Sequence, residues 1–325
     1  MRVLITGGAG YLGAVVSLTL LGKGHEVRVL DCLRHGGEPL LGVWSHRRFS
    51  FHRADLRDAD AVRSALEGQD AVVHLAALVG DPACAKNPQE ARSVNIEASL
   101  GLIRESARSG VRRFVFASTC SNYGRMRDPS QYVDEQSELR PVSLYAETKV
   151  EVEKALLEQE ISEKMAATVL RFATLFGTSP RMRFDLTVNE FTMELLLKKS
   201  LEVYGEQFWR PYVHVRDAAE AIARVLESEK ESLIRKAVYN VGSTKNNFRK
   251  QDLIEIIQRV IPGGEVKCVR REEDPRDYRV SFEKIRTSLN FSPVHDVEDG
   301  VREIAALLSH GLIRDPFSPV HRNTA

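Results

Sequence analysis

A net excess of either charge is what this chain lacks. Its 325 residues carry 46 Lys and Arg against 45 Asp and Glu, a formal net charge of +1. That balance provides neither a basic stripe to hold nucleic acid nor an acidic tail. Cysteine is scarce as well. Cys32, Cys84, Cys120 and Cys268 are scattered, with no C-x-x-C pair, which speaks against a metal site and a disulfide framework and for a reducing compartment. No apolar run approaches membrane-spanning length, so no membrane partner is expected. An apolar strand read from residue 2 leaves no room for a leader, and the expected location is cytoplasmic. Repeats, low-complexity tracts and flexible linkers are also missing. What is present is ordinary for a globular protein: 43% hydrophobic and 28% charged residues, in a chain long enough for one or two domains with a sizeable core.

The most informative segment is at the start. Residues 2–6 are an apolar run fit for a buried parallel strand, followed by Gly7-Gly8-Ala9-Gly10-Tyr11-Leu12-Gly13. The spacing Gly-x-x-Gly-x-x-Gly permits a tight turn, close approach of backbone to a pyrophosphate, and close helix–strand packing. A helix from Tyr11 to Gly22 or Gly24 then aims its unpaired N–H groups at the phosphates. Gly7, Gly10, Tyr11 and Leu12 are therefore candidate dinucleotide-binding residues. A second strand, Glu26–Leu30, ends at Asp31, 18 residues after Gly13. An acidic residue there grips a ribose 2′-OH and repels a 2′-phosphate, so NAD is expected over NADP. Arg34, close by, is the residue that pulls the other way.

The first half goes on alternating. Strands are expected at Arg48–Arg53, Ala71–Leu75, Arg113–Ala117 and Ala167–Arg171. Helices are expected after Asp55-Leu56-Arg57-Asp58 to Leu66, over Glu90–Ser109 and over Leu144–Ile161. This is the pattern of an α/β, Rossmann-type, doubly wound parallel sheet, whose ligands sit beyond the carboxyl ends of the strands. After Gly177 the pattern changes. A helix is expected near Val188–Lys199, another over Arg216–Leu226, a strand over Ala237–Val241, and two or three helices with little sheet over 249–311. The expected division is a dinucleotide-binding domain over 1–176, with a return near 211–241. A smaller, discontinuous substrate-binding lobe mainly occupies 177–325, ending in a loose tail from Phe317.

Tyr145 and Lys149 lie four residues apart, on one face of the Leu144–Ile161 helix. A free tyrosine, with a pKa of ~10, is too weakly acidic to serve as a base at neutral pH. A neighbouring ammonium and a positive nicotinamide ring favour its phenolate, which could take a proton from a carbinol while hydride leaves for the cofactor. The fifth strand runs into Ser118-Thr119-Cys120-Ser121, placing Thr119 to hydrogen-bond the same oxygen.

With these motifs together, the chain resembles the extended short-chain dehydrogenase/reductase family, the NAD-dependent sugar-nucleotide epimerases and dehydratases, over nearly its whole length. The resemblance rests on the glycine motif, Asp31, Asp55-Leu56, His74-Leu75-Ala76-Ala77, Ser118-Thr119 and Tyr145-x-x-x-Lys149. It implies that Asp55 and Leu56 bracket the adenine, that Leu75, Ala76 and Ala77 line the nicotinamide side, and that Lys149 also holds the nicotinamide ribose. It implies a nucleoside-diphosphate sugar as substrate, with Arg210 of Arg210-Pro211-Tyr212 and Arg276 of Asp274-Pro275-Arg276-Asp277 at its phosphates, and often a homodimer. Helices 90–109 and 144–161 could pair across such a dimer. Arg181, Arg183 and Asn189 open the second lobe and could touch the nucleotide. Trp209 could stack on the base, and His214 reads as a structural hydrogen-bonder.

The chain departs from that family after the threonine. Where the 4,6-dehydratases and decarboxylases usually carry Asp and Glu, or Glu alone, it has Cys120 and Ser121. A serine cannot replace a glutamate as base without a partner, and this marks down both chemistries. Cys120 is a candidate acid or base for a 3- or 5-epimerisation or a dehydration if its thiol pKa of ~8.5 is lowered. Thr174 stands where the family has Asn, and Asp81-Pro82-Ala83-Cys84 could approach the sugar. The leading expectation is C4 epimerisation. The alternatives are an NAD(P)H-dependent reductase of a nucleoside-diphosphate 4-keto-sugar, the Cys120 chemistries, and an NAD-sensing regulator without catalysis.

Overall fold

In a computed structural model of the protein, residues 1–126, 128, 131–158, 164–269 and 276–323 are described. The strands among them are β1 (Arg2–Thr6), β2 (Glu26–Asp31), β3 (Phe49–Arg53), β4 (Ala71–His74), β5 (Arg113–Thr119), β6 (Ala166–Phe172), β7 (Thr174–Phe176), β8 (Ser200–Tyr204), β9 (Trp209–His214), β10 (Ala237–Val241), β11 (Asn247–Arg249) and β12 (Glu265–Val269). Seven of them form one parallel sheet in the order β10-β6-β5-β4-β1-β2-β3. The order reverses between β1 and β4, and a crevice opens there beyond the strand ends.

The apolar runs read as buried strands because both faces of the sheet are covered. Val3 and Ile5 pack to one side, with helices Tyr11–Gly22 and Val215–Glu227. Leu4 packs to the other, with Val62, Leu102 and Val152 from helices Ala59–Leu66, Ser99–Arg108 and Leu144–Glu158. The long helix expected from Glu90 begins at Pro88 and contains a π-helical stretch, Ser93–Ala98. Such a bulge re-aims a side chain. Here it presents Asn95, whose Oδ1 accepts from Leu78 N at 2.7 Å and whose Nδ2 donates to Leu78 O at 3.0 Å, fixing the loop that follows β4.

The rest of the chain holds more sheet than the sequence led us to expect. β11, β9 and β7 form a three-stranded sheet, and β12 pairs with β8. Helices Thr187–Leu197, Lys250–Val260 and Val297–Ser309 pack together around Leu195, Ile257 and Val301. The segment from Phe317 to Asn323 is not a loose tail. Phe184 N donates to His321 O at 2.9 Å, Arg322 pairs with Glu190 at 3.3 Å, and Asn323 N donates to Asp185 Oδ2 at 3.0 Å. No helix among the described residues is long and apolar enough to cross a membrane.

Candidate active site

A cavity of about 610 Å³ opens at the carboxyl ends of β1, β2, β4 and β5 and is closed over by the second part of the chain. Its floor is the glycine turn. Gly7 has φ +76°, and a Cβ there would stand 2.7 Å from Ala76 N; one on Gly13 would overlap Gly7 O and lie 2.7 Å from Gly8 Cα. No side chain fits at either point, so the turn packs tightly on the β4 loop and on itself, and Gly7, Gly10 and Gly13 line the cavity at the start of helix Tyr11–Gly22. Asp31 is built into the rim. Its Oδ2 accepts from Ala9 N at 3.0 Å and its Oδ1 from Leu33 N at 2.8 Å. Burial raises its pKa, opposed by those two hydrogen bonds and by Arg181. Arg34 is drawn off to Glu90. Asp55 and Leu56 line the same wall, Asp55 held by Arg57 at 2.7 Å. Leu75, Ala76 and Ala77 line the cavity further on. These residues fit a dinucleotide. Gly13→Ala is expected to weaken NAD binding about tenfold or more, since the added methyl must displace backbone. Calorimetric titration of the variant with NAD checks this.

Thr119, Tyr145 and Lys149 meet in the same cavity. Thr119 ends β5, and its Oγ1 accepts from Ser121 N at 3.1 Å, leaving its own hydroxyl hydrogen to point elsewhere. The half-buried ring of Tyr145 packs on Leu78, Ala83 and Cys84. Burial first, then Cys84, pushes its phenol above the usual range. Lys149 is 3% exposed; its Nζ donates to Ala117 O at 2.9 Å and lies 5.8 Å from the Tyr145 ring centroid. Burial holds its pKa down to about 8. Arg210, over the Tyr278 ring at 5.4 Å, and Arg276, paired with Asp81 at 2.7 Å, also reach the cavity wall. Asp274 and Pro275 of the late arginine motif lie outside the described residues.

Two expected site residues are elsewhere. Cys120 is 1% exposed, absent from the cavity wall, and donates its S–H to Arg171 O at 3.2 Å; burial pushes its thiol well up. It is a core residue with no route to a sugar. Asn189, fully buried, spends its amide on Gly177 N at 3.0 Å and Arg183 O at 2.9 Å, so it shapes the lobe and does not line the cavity. Trp209 is covered by Arg249 and Arg279 and does not line the cavity. His214 is structural, as expected: it caps helix Val215–Glu227 and faces Glu303 Oε1 at 2.8 Å. Wall residues not foreseen include Leu186, Thr187, Tyr278 and Asn323; no local spacing marks them, because separate segments bring them together.

A family model described as NAD dependent epimerase/dehydratase family matches residues 3–242. The chain is 28% identical to a UDP-glucose 4-epimerase of Streptomyces lividans, over 90% of this chain and 91% of that protein. It is 30% identical to a dTDP-glucose 4,6-dehydratase of Streptomyces griseus, over 94% and 93%. Among solved structures it is similar to the Thermus thermophilus UDP-glucose 4-epimerase in complex with NAD, with TM-score 0.81 and 28% identity over 94% of this chain and 98% of that one.

Proposed function

We propose that this chain, which belongs to the NAD dependent epimerase/dehydratase family, epimerises a nucleoside-diphosphate sugar at C4 through a transient 4-keto-sugar. One observation carries the reading: Thr119, Tyr145 and Lys149 share a cavity with Ala76 and Ala77, while the side chain after Thr119 turns into the core. Bound NAD supplies a hydride acceptor and donor for C4, together with a positive ring. Tyr145 takes the C4 hydroxyl proton, Thr119 donates a hydrogen bond to the same oxygen, and Lys149 favours the phenolate. After the keto-sugar turns in the cavity, Tyr145 returns the proton. Asp31 and the glycine turn hold the dinucleotide, with Asp55, Leu56 and Leu75 beside it, and Arg210 and Arg276 face the substrate diphosphate. The 4-epimerase names of the S. lividans and T. thermophilus relatives support this substrate class.

The dehydratase alternative has one structural point in its favour. Asp81, held by Ser143 at 2.7 Å and by Arg276, is a cavity carboxylate whose charge bears on Tyr145, and the S. griseus relative carries the dehydratase name. Incubation with NAD and a panel of UDP-, GDP-, CDP-, ADP- and dTDP-sugars in deuterated water separates the two. An isomer of unchanged mass without solvent deuterium is the expected product. Loss of water, or deuterium at C3 or C5, would overturn C4 epimerisation. Stoichiometric cofactor consumption would mark a reductase, and tight NAD without turnover a sensor. The division into an NAD-binding part (1–176, with the return near 211–241) and a mainly substrate-binding part (177–325), a cytoplasmic location and a homodimer belong to the same proposal. The outward faces of the two long helices, with Glu97, Arg104, Glu151 and Lys154 exposed, are the surfaces such a dimer would use.

A further inference from the structure

Arg181 is a buried cation on the cavity wall with open hydrogen-bond donors. It is 6% exposed and lines the cavity, yet its Nε and Nη2 have no hydrogen-bond partner among the described residues. Its neighbours are matched: Arg183 pairs with Asp185 at 2.8 Å and Arg34 with Glu90. A guanidinium buried with open donors costs stability unless something else returns the hydrogen bonds.

The loop that carries Arg181 is tied to the glycine motif. Tyr11 OH donates to Gly177 O at 2.6 Å, Ser179 Oγ donates to Tyr11 O at 2.7 Å, and Arg181 N donates to Ser179 Oγ at 3.3 Å. Arg181 also acts on Asp31, lowering its carboxyl against the larger effect of burial. On the same wall, burial and then Arg181 hold His35 down to about 4, which keeps that imidazole neutral and leaves the positive charge to the arginine. Arg181 thus sits on a loop fastened to the first turn of helix Tyr11–Gly22, on the same cavity as Asp31 and near enough to act on its carboxylate. In a dinucleotide whose ribose is held by Asp31 and whose phosphates face that first turn, the anion next to both is the pyrophosphate.

We infer that Arg181, supplied by the second part of the chain, is a pyrophosphate-binding residue for the dinucleotide, closing over the anion from the side opposite the glycine turn. A guanidinium suits this work because its planar fork matches two phosphate oxygens at once. The binding of cofactor then couples the loop at 177–183 to the sheet, since the anion completes a hydrogen-bond set that the chain leaves open. The inference rests on NAD being the resident cofactor.

The test is calorimetric titration of wild type, Arg181→Met and Arg181→Lys with NAD, ADP, adenosine and UDP, alongside thermal melting of each protein without nucleotide. In Arg181→Met, affinity for NAD and for ADP is expected to fall about tenfold to a hundredfold, adenosine to bind as in wild type, and the nucleotide-free protein to melt no lower. Arg181→Lys is expected to recover part of the loss. Unchanged NAD and ADP affinity in the methionine variant would overturn the inference. So would an equal loss for adenosine, or a loss confined to UDP, which would place Arg181 at the substrate. Failure of the wild-type protein to bind NAD would instead remove the cofactor reading itself.

Discussion

Tyr145→Phe is expected to lower kcat about a thousandfold, within the range of roughly 10²–10⁴ that a positioned proton-transfer group contributes. The substitution removes one oxygen and leaves the ring in place against Leu78, Ala83 and Cys84, so the variant should fold normally. The phenol is poorly ionised by its own surroundings, because burial raises its pKa. In the proposed mechanism its reactivity comes from nearby positive charge: Arg183 already opposes the rise, and Lys149 Nζ stands 5.8 Å from the ring centroid. The lysine's bond to Ala117 O anchors the ammonium at the cavity wall, and burial brings its pKa to about 8, so the charge is readily modulated. Steady-state kinetics with the active sugar nucleotide, beside NAD titration, gives the check. A loss in kcat with NAD affinity kept within a few-fold supports a proton-transfer role. Full activity in the phenylalanine variant would remove Tyr145 from the chemistry and with it the epimerase mechanism.

The parts legible in the sequence are those set by spacing within one or two elements. β1, the glycine turn, helix Tyr11–Gly22 and Asp31 all come from the first 31 residues, and the Tyr145–Lys149 pair lies on one helical face. Cys120 was misread because it lies just past the end of β5. β5 ends at Thr119, and Cys120 opens a single 3-10 turn, Cys120–Tyr123, whose path only the fold sets. In that turn Ser121 lines the cavity beside Thr119, while the Cys120 thiol turns inward to Arg171 O. Asn189 was misread because its partners, Gly177 and Arg183, are set by the turn of the chain before helix Thr187–Leu197. The lobe's strands were missed because they are short. β7 and β11 are three residues each, too few for alternation to show. β8 does alternate, with Leu201 and Val203 buried and Glu202 and Tyr204 exposed, but it begins directly where a helix was expected to end. The docked segment before Asn323 could not be foreseen, since its contacts with Phe184, Asp185 and Glu190 join residues far apart in the chain.

Glu153→Gln is expected to destabilise the fold by about 3–5 kcal/mol, the usual cost of leaving one member of a buried ion pair unmatched. Glu153 and Arg171 are 2% and 5% exposed at their side chains and 2.6 Å apart. Around them Ser118 and Asn122 donate to Glu153, Arg171 Nη1 donates to Tyr123 OH at 3.0 Å, and Tyr123 OH donates to Asn240 Oδ1 at 2.8 Å. The network joins β5, β6, β10 and helix Leu144–Glu158 next to the Thr119–Tyr145–Lys149 cluster: Ser118 precedes Thr119, and Glu153 lies one turn beyond Lys149. A glutamine keeps the shape but strips the charge, and Arg171 then stays buried without its counter-ion. The urea midpoint should therefore drop in Glu153→Gln and in Arg171→Met. The double variant Glu153→Leu/Arg171→Met should recover much of the loss, because apolar replacement of both partners removes the desolvation penalty with the attraction. If the double variant were instead as unstable as the sum of the two singles, the pair would not be coupled, and the network's worth would lie in its neutral hydrogen bonds. Recovery of stability without recovery of kcat would show what the buried charges are kept for: they hold the end of β5 and the Lys149 helix in one register, where an apolar patch of equal volume would let them slide.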